Sequence, residues 1–165
     1  MAFWNELSTE PLRQFRWYVN FSQISDAIFA LKKCDRPKMK INTVQHKYLN
    51  HFYNFPGRVE WEDINLTFAA VQGLSNKLYT AMTMAGYLYP GSEQDRTTIS
   101  KNNLVNQSGA SGLELIMVGP EGTQLEKWTI TNPLFTSLQF GSLDYGSEEI
   151  VEITCVIKYD TAKVL

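Results

Sequence analysis

The chain has 165 residues, of which 44% are apolar, 19% charged and 13% aromatic, with a formal net charge of −2. Such a chain is long enough for a single domain over residues 1–165 with a real core, and its composition is globular rather than disordered. It lacks the basic excess of a tight nucleic-acid binder, and no apolar run approaches the roughly 18–20 residues of a membrane span, so no membrane anchor is expected.

Met1 to Glu10 carries Glu6 and Glu10 and has no apolar stretch, so it does not read as a signal peptide. From Arg13 to Phe21 bulky and polar residues alternate, with Phe15, Trp17, Val19 and Phe21 on one face, which predicts a strand. Asp26 to Lys33 predicts a second short strand paired with the first, closed by Asp35-Arg36-Pro37. Residues 36–58 mix Lys38, Lys40 and Gln45 with Met39, Ile41 and Val44, then bring Tyr48, Phe52, Tyr53 and Phe55 before a Pro56-Gly57 turn signal. That pattern offers no face a lone domain could bury, and predicts an extended hairpin arm with an aromatic tip.

Val59 to Ala70 predicts a strand, with Ile64, Leu66 and Phe68 on the buried face. Leu74, Leu78, Met82, Ala85 and Leu88 recur at helical spacing, so a single amphipathic helix is expected over 74–88, stopped by Pro90-Gly91. Residues 91–112 are polar and rich in Gly, Ser and Asn, and read as a long loop. A hairpin follows over 113–119 and 123–131 around Pro120-Glu121-Gly122, then a bend at Asn132-Pro133, a strand over 134–140 and a loop over 141–149. The last strand runs from Ile150 to Tyr159, with Ile153, Cys155 and Ile157 inward. Six or seven strands and one helix predict a mainly β fold: an antiparallel β-sandwich or barrel with one flanking α-helix and an extended hairpin arm.

No phosphate-binding or nucleophile-elbow motif occurs in the chain. His46 and His51 are the only histidines; a spacing of five puts them on opposite faces of one strand, as surface residues and not metal ligands. Glu60, Glu62 and Asp63 read as a solvated or intersubunit strand start rather than an acid–base pair. Cys34 and Cys155 read as free thiols and small core residues. The basic stretch Lys32, Lys33, Arg36, Lys38, Lys40 reads as a solvated segment that meets acidic partners. Neither an enzyme nor a cofactor is expected. The candidate functional residues are instead those of a subunit interface: Lys40, Tyr48, Phe52, Tyr53 and Phe55 in the arm, with Glu93, Asp95, Arg96 and Lys101 in the polar loop.

The order of features is more specific than any one of them. An aromatic strand from Pro11 to Val19 precedes the arm. Then come Trp61-Glu62-Asp63-Ile64-Asn65-Leu66-Thr67-Phe68, the helix and the polar loop, and finally Asn132-Pro133, Gly141-Ser142-Leu143-Asp144-Tyr145 and the terminal strand. This order resembles the tail tube proteins of contractile-tailed phages over nearly the whole chain. The resemblance implies a structural subunit that closes into hexameric rings. Stacked rings would form an inner tube within the contractile sheath, joined to baseplate and tape-measure proteins. Genomic DNA would pass down the lumen without specific binding. The location implied is the virion tail, with the host cytoplasm during assembly. A baseplate, tail-terminator or type VI secretion-like tube paralogue is the alternative within the class, and a small β-barrel binding module the alternative outside it.

Overall fold

Two runs of alternating residues build the centre of the molecule. In β5 (Ile64–Ala69) Ile64, Leu66 and Phe68 are buried, and in β9 (Glu152–Lys158) Ile153, Cys155 and Ile157 are buried. The two strands pair antiparallel with Leu66 opposite Cys155 and Phe68 opposite Ile153, so each apolar residue meets another across the ladder. All six residues expected in the core lie there.

The computed structural model describes residues 11–22, 24–91, 98–107 and 110–165, and of residues 25–27 the backbone alone. Around the central pair, β2 (Leu31–Cys34) and β8 (Leu134–Gln139) complete one sheet of order β2-β5-β9-β8. A second sheet of order β1-β6-β7-β10 is formed by β1 (Trp17–Asn20), β6 (Glu114–Val118), β7 (Gln124–Thr131) and β10 (Thr161–Val164). Every neighbouring pair is antiparallel. Val19, Leu115 and Ile130 of the second sheet join the central residues in one apolar cluster, to which Leu74 and Leu78 of helix α1 (Leu74–Met84) also belong. The Phe21 and Phe68 rings meet inside it with centroids 6.4 Å apart. The fold is therefore mainly β, and neither sheet closes into a barrel.

Several expectations are corrected. Asp26 to Lys33 is not one strand: Ser25–Ala30 forms a 3-10 helix, and the short β2 that follows pairs with β5, not with β1, whose partner is β6. A Ser-Asp start and two alanines favour the turn over the strand. The stretch 59–70 is split at Asp63 between two strands. Helix α1 stops at Met84, short of the expected residue 88, because Gly86 takes a left-handed φ of 111°. The loop expected over 91–112 contains a second helix, α2 (Lys101–Gln107), so two helices flank the sheets and not one. Ser100 starts α2, its hydroxyl accepting the Asn103 backbone amide at 3.1 Å. With Leu104 as its one buried side chain, α2 shows no stripe in the sequence. The last strand, β10, was also not expected.

The third sheet is a two-stranded ribbon of β3 (Lys38–Tyr48) and β4 (His51–Glu62), joined by a two-residue turn at Leu49-Asn50. Neither strand is part of the two larger sheets. This is the expected arm, and eleven residues of β3 give it a reach of about 36 Å at roughly 3.3 Å per residue.

Candidate subunit interface

Along β3 the apolar positions change parity, from Met39 and Ile41 to Val44 and Tyr48. In β4 most of them fall on odd numbers, Tyr53, Phe55, Val59 and Trp61, with Phe52 the exception near the tip. The pairing register reconciles the two strands. Ile41 stands opposite Val59 but Thr43 stands opposite Pro56, so β4 carries one extra residue, a β-bulge at Gly57-Arg58 facing Asn42. Gly57 is required there, since a Cβ on it would lie 2.8 Å from the Asn42 carbonyl oxygen.

The consequence is an arm whose apolar side changes halfway along. Near the body one face holds Met39, Ile41, Val59 and Trp61, while the other holds the cross-strand pairs Lys38–Glu62 and Lys40–Glu60. Beyond the bulge the Lys/Glu side continues as Val44–Phe55, His46–Tyr53 and Tyr48–His51. The opposite side becomes polar, with Gln45 donating to Asn54 at 3.4 Å and the Lys47 ammonium 5.8 Å from the centre of the Phe52 ring. Among the apolar residues described in the arm, Trp61 is the one packed on the core of the body, its ring 5.9 Å from that of Tyr159. Met39, Ile41, Val44, Tyr48, Phe52, Tyr53, Phe55 and Val59 are each more than half exposed. So much exposed apolar side chain on one element, in patches on opposite sides of the ribbon, is the pattern of an interaction surface. His46 and His51, expected on opposite faces, share the outer apolar face, because the turn puts them on different strands.

The expected interface residues thus divide. Lys40, Tyr48, Phe52, Tyr53 and Phe55 all lie on the arm and all are exposed. Glu93, Asp95 and Arg96 lie outside the described residues. Lys101, the first residue of α2, binds Asp160 of its own chain at 2.8 and 2.9 Å. Asn132 donates to the same carboxylate at 2.8 Å, and these two partners hold Asp160 below the ordinary carboxylate range. The cluster ties α2 to the β7–β8 bend and to the end of β9. The basic stretch is also largely satisfied within the chain, which corrects its reading as a segment awaiting acidic partners: Lys32 pairs with Glu152, Arg36 with Glu126, and Lys38 with Asp35 at 3.7 Å. Burial would raise Asp35, but the Asn65 amide at 2.8 Å and the Lys38 ammonium more than offset it and hold its carboxyl down.

Sequence reasoning missed a second exposed element, the ten-residue segment 141–150 between β8 and β9. Every residue in it is exposed, Leu143 and Tyr145 almost wholly. It is a finger with its own internal order. The Gly146 amide donates to Asp144 Oδ1 at 2.9 Å, the Ser147 amide to the Asp144 carbonyl at 3.3 Å, and the Glu149 amide to Ser147 Oγ at 3.3 Å. Gly141 opens it at φ 84°, where a Cβ would lie 2.6 Å from the Glu152 carbonyl oxygen. Beneath it lies an open cleft of about 1120 Å³ bordered by Lys32, Asp144, Tyr145, Ile150 and Glu152. Apolar side chains beside three acids and no base were the signal available in the sequence.

A groove of about 420 Å³ opens between β1, β2 and β6, with Trp17, Leu115 and Met117 as its apolar lining and Arg13, Lys33 and Cys34 beside them. Burial, with Asp35 adjacent, pushes the Cys34 thiol up to about 12, so at neutral pH it is not a nucleophile. Among the described residues no group of three His, Cys, Asp or Glu side chains is placed to hold a metal ion.

Comparison with solved structures places this architecture. A chain in the tube-terminating cap of the anti-feeding prophage superposes with a TM-score of 0.69 at 17% identity, covering 100% of this chain and 99% of that one. A chain in the sheath/tube terminator of the extracellular contractile injection system PVC gives a TM-score of 0.69 at 16% identity over 96% and 99% of the two chains. A chain in the sheath–tube complex of the same system gives 0.68 at 15% identity over 100% and 98%. At these identities the likeness is one of fold. No protein-family model matches the sequence, and no curated protein matches it.

Proposed function

We propose that the chain is a structural, non-catalytic subunit of the tube of a contractile particle, one tail-tube-like domain that assembles with copies of itself. Copies close into hexameric rings, and stacked rings form the inner tube within a contractile sheath. In a phage tail that tube meets baseplate and tape-measure proteins and conducts genomic DNA at ejection. The observation that carries this reading is the arm. On a fold shared end to end with chains of tube, terminator and cap assemblies, it holds out an apolar surface with no cover in the isolated chain. An exposed surface of that kind is characteristic of a site that another molecule covers.

A second reading within the same class is a terminating subunit that closes a tube rather than extending it, favoured by the fold shared with the terminator and cap chains. Electron microscopy of concentrated purified protein decides between them. Tubes of many rings support the first reading and single rings the second. A species that stays monomeric at high concentration overturns both. Removing residues 40–53 should leave a folded monomer, still melting cooperatively, that no longer assembles.

A further inference from the structure

The two uncovered elements carry opposite charge. From Asn42 to Val59 the arm has no Asp or Glu, and it holds Lys47, Arg58 and both histidines. Over residues 141–150 the finger has no Lys or Arg, and it holds Asp144, Glu148 and Glu149; Glu152, at the start of β9, is already paired with Lys32. A chain of net charge −2 has thus sorted its charges between two exposed apolar segments. We infer that the outer half of the arm of one copy docks on the finger of a second copy. Its face of Val44, Tyr48, Tyr53 and Phe55 would lie against Leu143, Tyr145 and Ile150, and the two histidines on that face would lie beside the finger's acids, with Lys47 on the arm's far side adding attraction at longer range. This inference rests on the self-assembly reading above.

Shape and chemistry agree with the charge. Both elements are ordered before they meet, the arm by its ladder and the finger by its Asp144 turn, so docking costs little conformational entropy. The open cleft under the finger, about 1120 Å³, has room for several aromatic side chains. His46 and His51 place nitrogen donors on the apolar face itself, where the finger supplies carboxylate acceptors. Because the apolar side changes at the bulge, the docking face is the one that nearer the body bears the Lys/Glu pairs. The second copy therefore approaches the arm from the side opposite Met39, Ile41 and Trp61.

Charge exchange tests the contact. The variant H46E/H51E sets acid against acid and should raise the concentration needed for assembly about tenfold. E148K/E149K should weaken assembly in the same way. Joining all four substitutions in one chain should restore it, with melting temperatures unchanged throughout. In assemblies made from mixed light and heavy-isotope chains, a photo-crosslinking benzoylphenylalanine in place of Tyr48, which lies on the docking face, should join the arm to residues 143–150 of another chain. Assembly that survives either pair alone, a quadruple variant that stays unassembled, or mixed assemblies without that cross-link overturns the arm–finger contact and leaves self-assembly intact. Wild-type protein that never assembles overturns both.

Discussion

Phe68 stands at the junction of the two sheets, paired with Ile153 across the ladder and touching Phe21 from the other sheet. Phe68→Ala removes a fully buried ring and should cost about 3–5 kcal/mol, seen as a lower melting temperature; an unchanged melt would place the ring outside the core. The two cysteines make a second prediction. Burial pushes both thiols up to about 12, with Asp35 adding to the effect at Cys34. A thiol raised in the folded state favours folding fully below its unfolded value, near 8.5, and loses that contribution as pH rises towards 12. At pH 8 a thiol reagent should therefore modify the native chain slowly and both cysteines at once in denaturant; rapid labelling of the native chain would contradict it. At this scale the core was legible, because strict alternation names its own inward residues. The histidines were misplaced because spacing of five was counted along one strand, and the turn at Leu49-Asn50 breaks that count.

At the scale of elements, the arm was legible from what it lacks, a face that its own domain buries. Its bulge was present as a parity change at Asn42-Thr43, but its effect appears only when the register is known. Helix α2 was hidden because tertiary contacts and Ser100 hold it, and its asparagines are poor helix formers. The clasp of Lys101, Asn132 and Asp160 is expected to anchor that helix. Lys101→Met should speed hydrogen exchange of the α2 amides, while the melting temperature moves little, since an exposed pair contributes only about 0–1 kcal/mol. Unchanged exchange would mean that Leu104 packing holds α2 without the clasp. The finger reads in the sequence only as the loop over 141–149, because its exposed Leu143, Tyr145 and Ile150 show no periodicity, and their exposure and the neighbouring acids gain meaning only beside the arm.

For the whole molecule, the sandwich follows from the sequence more completely than the assembly does. A core residue's partners lie in the same chain, so the pattern that buries it is internally complete. The partner of a proposed interface residue would lie on another copy, and the sequence would record only half of the match. The bulge at Gly57 has a bearing here beyond docking. Had the ribbon kept its apolar residues on one side for its full length, it would present a long, sticky β surface to every other free chain. Such surfaces seed disordered aggregation. Splitting that surface into two short patches on opposite sides means that no single stacking of two free ribbons hides both. Irregular clumping of free ribbons is then disfavoured even at high protein concentration.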